Sequence, residues 1–344
     1  MPVALPATLP PGLPIASFVS VTAALSAVLL GAFVLTGTPA VAQTPPVPVA
    51  APAAPAARPA TAVIREDGLV ADYFAPVAGA PASAGAVIVL GGSEGGLGGS
   101  RGLARHLADE GFAAIAVSYF GEAGQQAKLD QVPIEPVGRA LAWLKARPEI
   151  HGPIAIMGIS KGAELALLTA SREPEIRAVA VGVPSSVVWA GIDMAGGPVG
   201  SSWTANGQPL PYVHYDLSKG FTGVFNLYNN SLDGAPAEAR IPVETIHGPI
   251  LMISGQADGV WPSSRMANEV EQRLKEHRFA YPVINIAYPD AGHAAFGIVL
   301  PADSPGLERA TSVGGTVPGL VAARTDGWPR VLAFLRTALN PQGT

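Results

Sequence analysis

From residue 61 onward, short unbroken apolar runs alternate with longer stretches whose apolar positions recur at helical spacing. That pattern predicts strands and helices taking turns around a mostly parallel sheet. Residues 61–73 (TAVIREDGLVADY) predict two short strands folded about Asp67-Gly68, a strong tight-hairpin dipeptide, and so an antiparallel edge to the sheet. Residues 86–90 (AVIVL) show no polar alternation, as a strand covered on both faces requires. A glycine-rich stretch at 91–99 follows, then a helix about 103–110, a strand at 113–118 and a helix about 136–146. Next come a strand at 154–157, a helix at 162–171 and a strand at 176–183. The alternation lapses over about 184–246, where Gly, Pro and aromatic residues (Trp189, Trp203, Tyr212, Tyr215, Phe221, Tyr228) dominate. A segment of that kind reads as a loop-rich cap inserted over the strand ends where α/β folds bind ligands. Alternation resumes with a strand at 249–254, a helix at 263–276, a strand at 283–288 and a last helix near 328–339. The predicted class is α/β, a central sheet with helices on both faces and no internal repeat.

Composition adjusts this picture at the N-terminus. No Asp, Glu, Lys or Arg precedes Arg58, and residues 17–36 are nearly continuously apolar, which sets residues 1–42 apart from the globular part. Ala40-Val41-Ala42 before Gln43 suits signal peptidase, so the simplest expectation is an export signal cleaved after Ala42. The n-region has no Lys or Arg, and an uncleaved N-terminal anchor is the second expectation, since a stretch of this length can span a bilayer. Either way the catalytic part is expected outside the cytoplasm, periplasmic or secreted. Residues 43–60 (QTPPVPVAAPAAPAARPA) favour extended polyproline II and read as a disordered linker, leaving 61–344 as one domain. Of the 344 residues 49% are hydrophobic, enough for a single core of enzyme size. The net charge of −5 without a basic run gives nucleic acid nothing to hold, and no membrane contact is expected beyond the N-terminal segment. The absence of cysteine excludes disulfides, a thiol nucleophile and thiolate metal sites. Oligomeric state is not legible.

The chemistry is concentrated in Gly158-Ile159-Ser160-Lys161-Gly162. A serine on a sharp strand-to-helix turn needs glycine two residues to either side, because the turn leaves no room for β-carbons. Two other stretches match the same pattern, around Ser93 and around Ser100. Only Ser160 stands directly between an apolar strand (IAIM) and a strong helix former (AELALLTA), whereas Ser93 and Ser100 fall in the longer glycine-rich loop. A serine hydroxyl needs a histidine to take its proton and a carboxylate to orient that histidine. Asp258 follows the strand after the insertion and His293 follows the next one, in the order Ser, acid, His, so both should emerge on the sheet edge that carries Ser160. Asp290 is a rival acid that more simply shapes the turn before His293. His106 and His151 precede the serine, His214 lies in the insertion, and His247 and His277 sit before a strand and at a helix end. Two backbone N–H groups should face the oxyanion: that of Lys161, after the serine, and that of Ser93 in the loop after the first buried strand, with Glu94 as alternative. The same loop lacks both a P-loop ending and a dinucleotide fingerprint, and no His/Asp/Glu cluster has ligand spacing, so neither cofactor nor metal is expected.

These residues resemble a known family, the acyl-CoA thioesterases and bile acid-CoA:amino acid N-acyltransferases, in their C-terminal catalytic domain. The resemblance runs from about residue 86 to 339 through GSEGG, HLADEGFAAIAVSYFG, WLKARPEIHGPIAIMGISKGAELAL, GQADGVWPS, YPDAGH and a later Gly-Gly-Thr. It implies the α/β-hydrolase fold and a triad of Ser160, Asp258 and His293. More distantly the chain is similar to dienelactone hydrolases. Two departures stand out: the family's N-terminal β-sandwich domain has no room before residue 86, and an exported enzyme would not meet cytosolic coenzyme A thioesters. Serine at the elbow, where the N-acyltransferase branch has cysteine, favours hydrolysis. Without the resemblance, Lys161 and Glu164 read simply as charges in the first turn of a helix.

The leading expectation is therefore a small-molecule acyl thioester or ester cleaved through an acyl-serine at Ser160. An exported carboxylesterase or dienelactone-hydrolase-like enzyme is the second reading. The third is a catalytically silent protein that binds an apolar ligand in a hydrolase pocket.

Overall fold

The computed structural model describes residues 58–80, 83–193 and 197–340. The expected export signal and nearly all of the linker lie outside these residues. At Arg58 the chain is already tied down, donating to the Ala75 carbonyl (3.3 Å) and pairing with Asp109 (3.4 Å).

Eleven strands form among the described residues: β1 (Ala62–Glu66), β2 (Leu69–Phe74), β3 (Ala86–Leu90), β4 (Ala113–Ser118), β5 (Val132–Pro133), β6 (Ile154–Ile159), β7 (Ile176–Gly182), β8 (Trp203–Ala205), β9 (Gln208–Pro209), β10 (Ile250–Gly255) and β11 (Val283–Tyr288). Eight of them make one sheet in the order β1-β2-β4-β3-β6-β7-β10-β11. β1 and β2 are the antiparallel edge hairpin, turning at Asp67 and Gly68 with positive φ, and the six strands from β4 to β11 run parallel. Parallel strands all deliver their C-terminal ends to one edge, and the loops carrying Ser93, Ser160, Asp258 and His293 leave the sheet there.

The helices are α1 (Gly98–Asp109), α2 (Glu135–Lys145), α3 (Lys161–Ala170), α4 (Val224–Asp233), α5 (Ser263–Glu276), α6 (Pro305–Ala310) and α7 (Val317–Leu339). Side chains alternate between the two faces along each central strand. Ile88 and Leu90 of β3 pack on the face covered by α2, α3 and α5; Val87 and Val89 pack on the face covered by α1 and α7. Both faces are therefore buried, which is why these strands carry no polar alternation.

Two helices begin earlier than their sequence pattern suggests. α1 starts at Gly98 rather than near residue 103, so Ser100 lies buried in a helix and not in a loop. Gly98, Gly99 and Gly102 mute the propensity signal, and the packing of Leu103 and Leu107 overrides it. α7 starts at Val317 rather than near 328, because the Thr316 side chain caps it by accepting from the Gly319 N–H (3.1 Å) despite Pro329 inside the helix.

The segment from 184 to 246 is more ordered than its composition suggests. It holds α4, and its β8 joins β9 and the outlying β5 in a small three-stranded sheet. Its Trp189, Trp203 and Tyr228 are buried in the main core rather than spread over the surface, each contributing on the order of 2–3 kcal/mol of apolar burial.

Candidate active site

Ser160 stands at the junction of β6 and α3 with φ 56° and ψ −122°, a region that side-chain-bearing residues rarely occupy. What enforces it is close packing on both sides. A β-carbon at Gly158 would run into the Gly162 carbonyl, and one at Gly162 into the Gly91 carbonyl. The two glycines of the motif are thus required by backbone contacts, and the Ser160 amide is fixed to the Gly182 carbonyl of β7 (3.0 Å). The hydroxyl projects into the site beyond the sheet.

His293 Nε2 lies 2.8 Å from Ser160 Oγ, and Nδ1 lies 3.0 and 2.9 Å from the two carboxylate oxygens of Asp258. A carboxylate beside Nδ1 places the ring proton there and leaves the Nε2 lone pair directed at the serine. Asp258 is buried, accepting from the amides of Val260 (2.9 Å) and Trp261 (3.2 Å) and from the Ser263 hydroxyl (2.6 Å). The edge of the Trp261 ring closes against the imidazole, centroids 5.7 Å apart. The rival Asp290 is exposed in its turn and offers its backbone carbonyl to Thr316 (3.0 Å).

Asp258 and His293 sit on separate loops, and a strap at 313–316 ties them together. The Val313 carbonyl accepts from both the Gly259 N–H (3.0 Å) and the His293 N–H (3.1 Å). Gly314 bridges to Asp258 and Gly315 to Ala291, both with positive φ (97° and 76°), where a β-carbon would strike neighbouring backbone. The strap was not read from the residues themselves; a Gly-Gly pair in a polar stretch was its one local signal.

Ser93 and Lys161 both border the cavity of about 290 Å³ that opens onto Ser160 and His293. The loop carrying Ser93 is braced from behind. Tyr119 Oη lies 2.9 and 2.6 Å from the carbonyls of Gly91 and Gly92, and the Gly92 N–H is taken by Glu94 Oε1 (3.0 Å). Among the described residues the Ser93 N–H has no acceptor, and the Lys161 N–H, at the first residue of α3, is one of the donors a helix leaves without an internal partner. Burial, followed by the charges of Glu94 and Glu164, pushes the Tyr119 phenol well above its ordinary range, so it remains a neutral donor.

The Lys161 and Glu164 side chains are not surface charges of a first helical turn. They are 2% and 0% exposed and paired at 2.5 Å. Lys161 Nζ also donates to Ser202 Oγ (2.8 Å), while Glu164 Oε1 accepts from the Trp189 amide (3.0 Å) and the Trp203 indole (2.7 Å). Burial pulls the lysine below and the carboxyl above its usual value, and each charge opposes the shift of the other. The pair therefore anchors the inserted segment to the helix that begins beside Ser160. From that segment Ile192, Val224 and Tyr228 reach the cavity, whose other walls include Trp261, Phe296 and Arg324. Sequence periodicity identified none of these pocket residues.

Of the remaining histidines, His106 packs on Trp328 and His214 on Tyr212, both away from the cavity. Among the described residues no group of three His, Asp or Glu is placed to hold a metal ion. No helix among them is long and apolar enough to cross a membrane.

The family model for the BAAT / acyl-CoA thioester hydrolase C terminal matches residues 132–341, and that for the X-Pro dipeptidyl-peptidase (S15 family) matches residues 38–210. Human acyl-coenzyme A thioesterase 1 is 29% identical over 245 residues, covering 68% of this chain and 56% of its own. Human mitochondrial acyl-coenzyme A thioesterase 2 is 29% identical over the same length, covering 68% of this chain and 48% of its own. The chain thus spans about half the length of the curated relatives it matches. A putative dienelactone hydrolase from Klebsiella pneumoniae is similar in structure, with a TM-score of 0.48 at 18% identity over 77% of this chain and 92% of that one. The first family model spans more than half of the sequence, and this chain belongs to the BAAT / acyl-CoA thioester hydrolase C-terminal family.

Proposed function

We propose that the chain is a serine hydrolase of acyl thioesters or esters working through an acyl-enzyme. The observation that carries this reading is the unbroken line of hydrogen bonds from Ser160 Oγ through His293 to Asp258, opening onto one cavity. In the forward step His293 Nε2 takes the serine proton as Oγ adds to the acyl carbon, and Asp258 stabilises the imidazolium. The amides of Lys161 and Ser93 receive the oxyanion. His293 then returns the proton to the departing alcohol or thiol as its bond to the acyl carbon breaks. Water enters, gives a proton to the same nitrogen and attacks the acyl-serine, and Ser160 leaves with that proton as the free acid forms. No cofactor takes part in any step.

Family membership supports the thioester, while the expected export of the catalytic part supports the ester. The decisive experiment is fluorophosphonate labelling of purified protein. Stoichiometric labelling that disappears in Ser160→Ala is expected; equal labelling of both, or of neither, overturns the acyl-serine reading. Thioesters and esters of matched acyl chains then separate the two leaving groups.

A further inference from the structure

Arg324 is a charged side chain of the cavity that the hydrolytic steps do not use. It projects from α7, and its guanidinium lies against Gly297, where a β-carbon would stand 3.2 Å from Nη1 and 3.3 Å from Cζ. Its Nε donates to the Ala294 carbonyl (3.0 Å) and Nη1 to the Ile298 carbonyl (3.3 Å). Both acceptors are backbone groups of the loop that follows His293. A guanidinium carries five N–H donors, so these bonds leave most of its fork unused. Among the described residues no carboxylate lies within ion-pair distance, and burial pulls the group below its ordinary value with no acid to restore it.

The other charged groups around the cavity are engaged or turned outward. Lys161 Nζ is taken by Glu164 and Ser202. Glu94 is exposed at the mouth and accepts from the Gly92 amide. His293 is held between Ser160 and Asp258. A half-buried arginine without an anion carries a desolvation cost that an anion arriving with the ligand would offset, and its planar fork fits a carboxylate.

We infer that Arg324 is a specificity residue that receives a carboxylate carried by the acyl group, so that the substrate is the monoester or monothioester of a short dicarboxylic acid. The inference rests on the reading of Ser160 as nucleophile. Arg324 and Ser160 border the same cavity of about 290 Å³, and Ala294, which binds the guanidinium, adjoins His293. The anion and the scissile carbonyl then share one cavity, which favours a short spacer between them. A phosphate of coenzyme A is separated from the thioester by the whole pantetheine arm, which sets it far from a guanidinium that borders the same cavity as Ser160. Phe296, Ile192 and Val224 supply apolar wall for the methylenes between carbonyl and carboxylate.

Two matched pairs test this: methyl pentanoate with monomethyl glutarate, which contain no phosphate, and pentanoyl-CoA with glutaryl-CoA. The expected result is a preference for the carboxylate-bearing member of each pair of about 10- to 100-fold in kcat/KM, expressed mainly in KM. Arg324→Gln and Arg324→Met should bring the ratio to near one, and Arg324→Lys should leave part of it. Circular dichroism and Tm show whether each variant is folded.

An absent preference in the wild type overturns the inference. So does an equal fall on both members in folded variants, which would make Arg324 a brace for the 294–298 loop. A fall in Arg324→Gln that strikes both coenzyme A thioesters equally and leaves both methyl esters unchanged would assign the residue to a phosphate and also overturn it. If the protein hydrolyses nothing, calorimetric binding of monomethyl glutarate against methyl pentanoate decides independently of turnover. Monomethyl glutarate binding lost in Arg324→Gln sustains the anion site while the hydrolase reading fails, and equal binding of the two esters overturns the inference as well.

Discussion

Two halves of one site are held by different physics. Ser160 is fixed by backbone packed on backbone, with Gly158 against Gly162 and Gly162 against Gly91, so the ends of β3 and β6 and the first turn of α3 share one rigid contact. Asp258 and His293 ride on two loops joined by the Ala257 N–H donating to the Ala291 carbonyl (3.0 Å) and by the close approach of Gly255 to that carbonyl, and the 313–316 strap completes their register through a shared carbonyl and two bridges. Ser160 is therefore held by the sheet alone, whereas His293 and its carboxylate depend on the strap as well. That division is reasonable chemistry: the elbow must sustain an unfavourable φ, while an imidazole needs only its two hydrogen bonds.

The largest expected effect lies on the rigid side and in chemistry alone. Ser160→Ala should lower kcat on the order of a million-fold while Tm stays near that of the wild type, measured by ester turnover and thermal denaturation. Residual turnover above about a hundredth of wild type would assign the nucleophile elsewhere. Asp258→Asn should cost about 10,000-fold, because an amide at that position favours the wrong imidazole tautomer.

Backbone substitutions break or sharpen the contrast directly. Gly162→Ala forces a β-carbon into the Gly91 carbonyl at the centre of the sheet and should destabilise the fold by more than about 4 kcal/mol, read as loss of soluble, cooperatively melting protein. Gly315→Ala meets a comparable clash with Gly292 but at the strap, and should cost about 1–3 kcal/mol while lowering kcat roughly 10- to 100-fold through a displaced His293. If Gly315→Ala unfolds the chain and Gly162→Ala melts normally, the proposed division of labour is wrong.

The same contrast explains what could be read from the sequence. The elbow, the hairpin at Asp67-Gly68 and the parallel strands β3, β4, β6, β7, β10 and β11 were legible because each is a local pattern: a glycine pair around a serine, a turn dipeptide, an unalternating apolar run. Chain order and position at the ends of successive strands selected Asp258 and His293, the two residues that the structure places in line with Ser160. The strap, Tyr119 behind the Ser93 loop and Arg324 in the cavity are contacts between residues remote in sequence, and no periodicity encodes them. The inserted segment misled for a related reason. Its Gly, Pro and aromatic composition suggests loops, but Trp189 and Trp203 are organised by one buried carboxylate, Glu164, which local propensity assigns to a helix surface.

That carboxylate gives an effect read in stability rather than turnover, and the most specific signature. Glu164→Gln leaves Lys161 buried without its anion, and removal of one partner from a buried pair costs about 3–5 kcal/mol. Glu164 is one of the influences that raise the Lys161 pKa against the pull of burial, so in the variant the lysine should fall further below its ordinary value. The unfolded chain then binds more protons than the folded one over the window between the lowered and the ordinary lysine pKa. Stability must rise with pH across that window. The deficit of Glu164→Gln relative to wild type should accordingly shrink as pH is raised from neutral toward the range where a free lysine titrates, and denaturant melts at several pH values would record it. In the double variant Glu164→Gln, Lys161→Met that pH dependence should vanish. A deficit constant with pH would mean that Glu164 holds the inserted segment through its bonds to Trp189 and Trp203 alone.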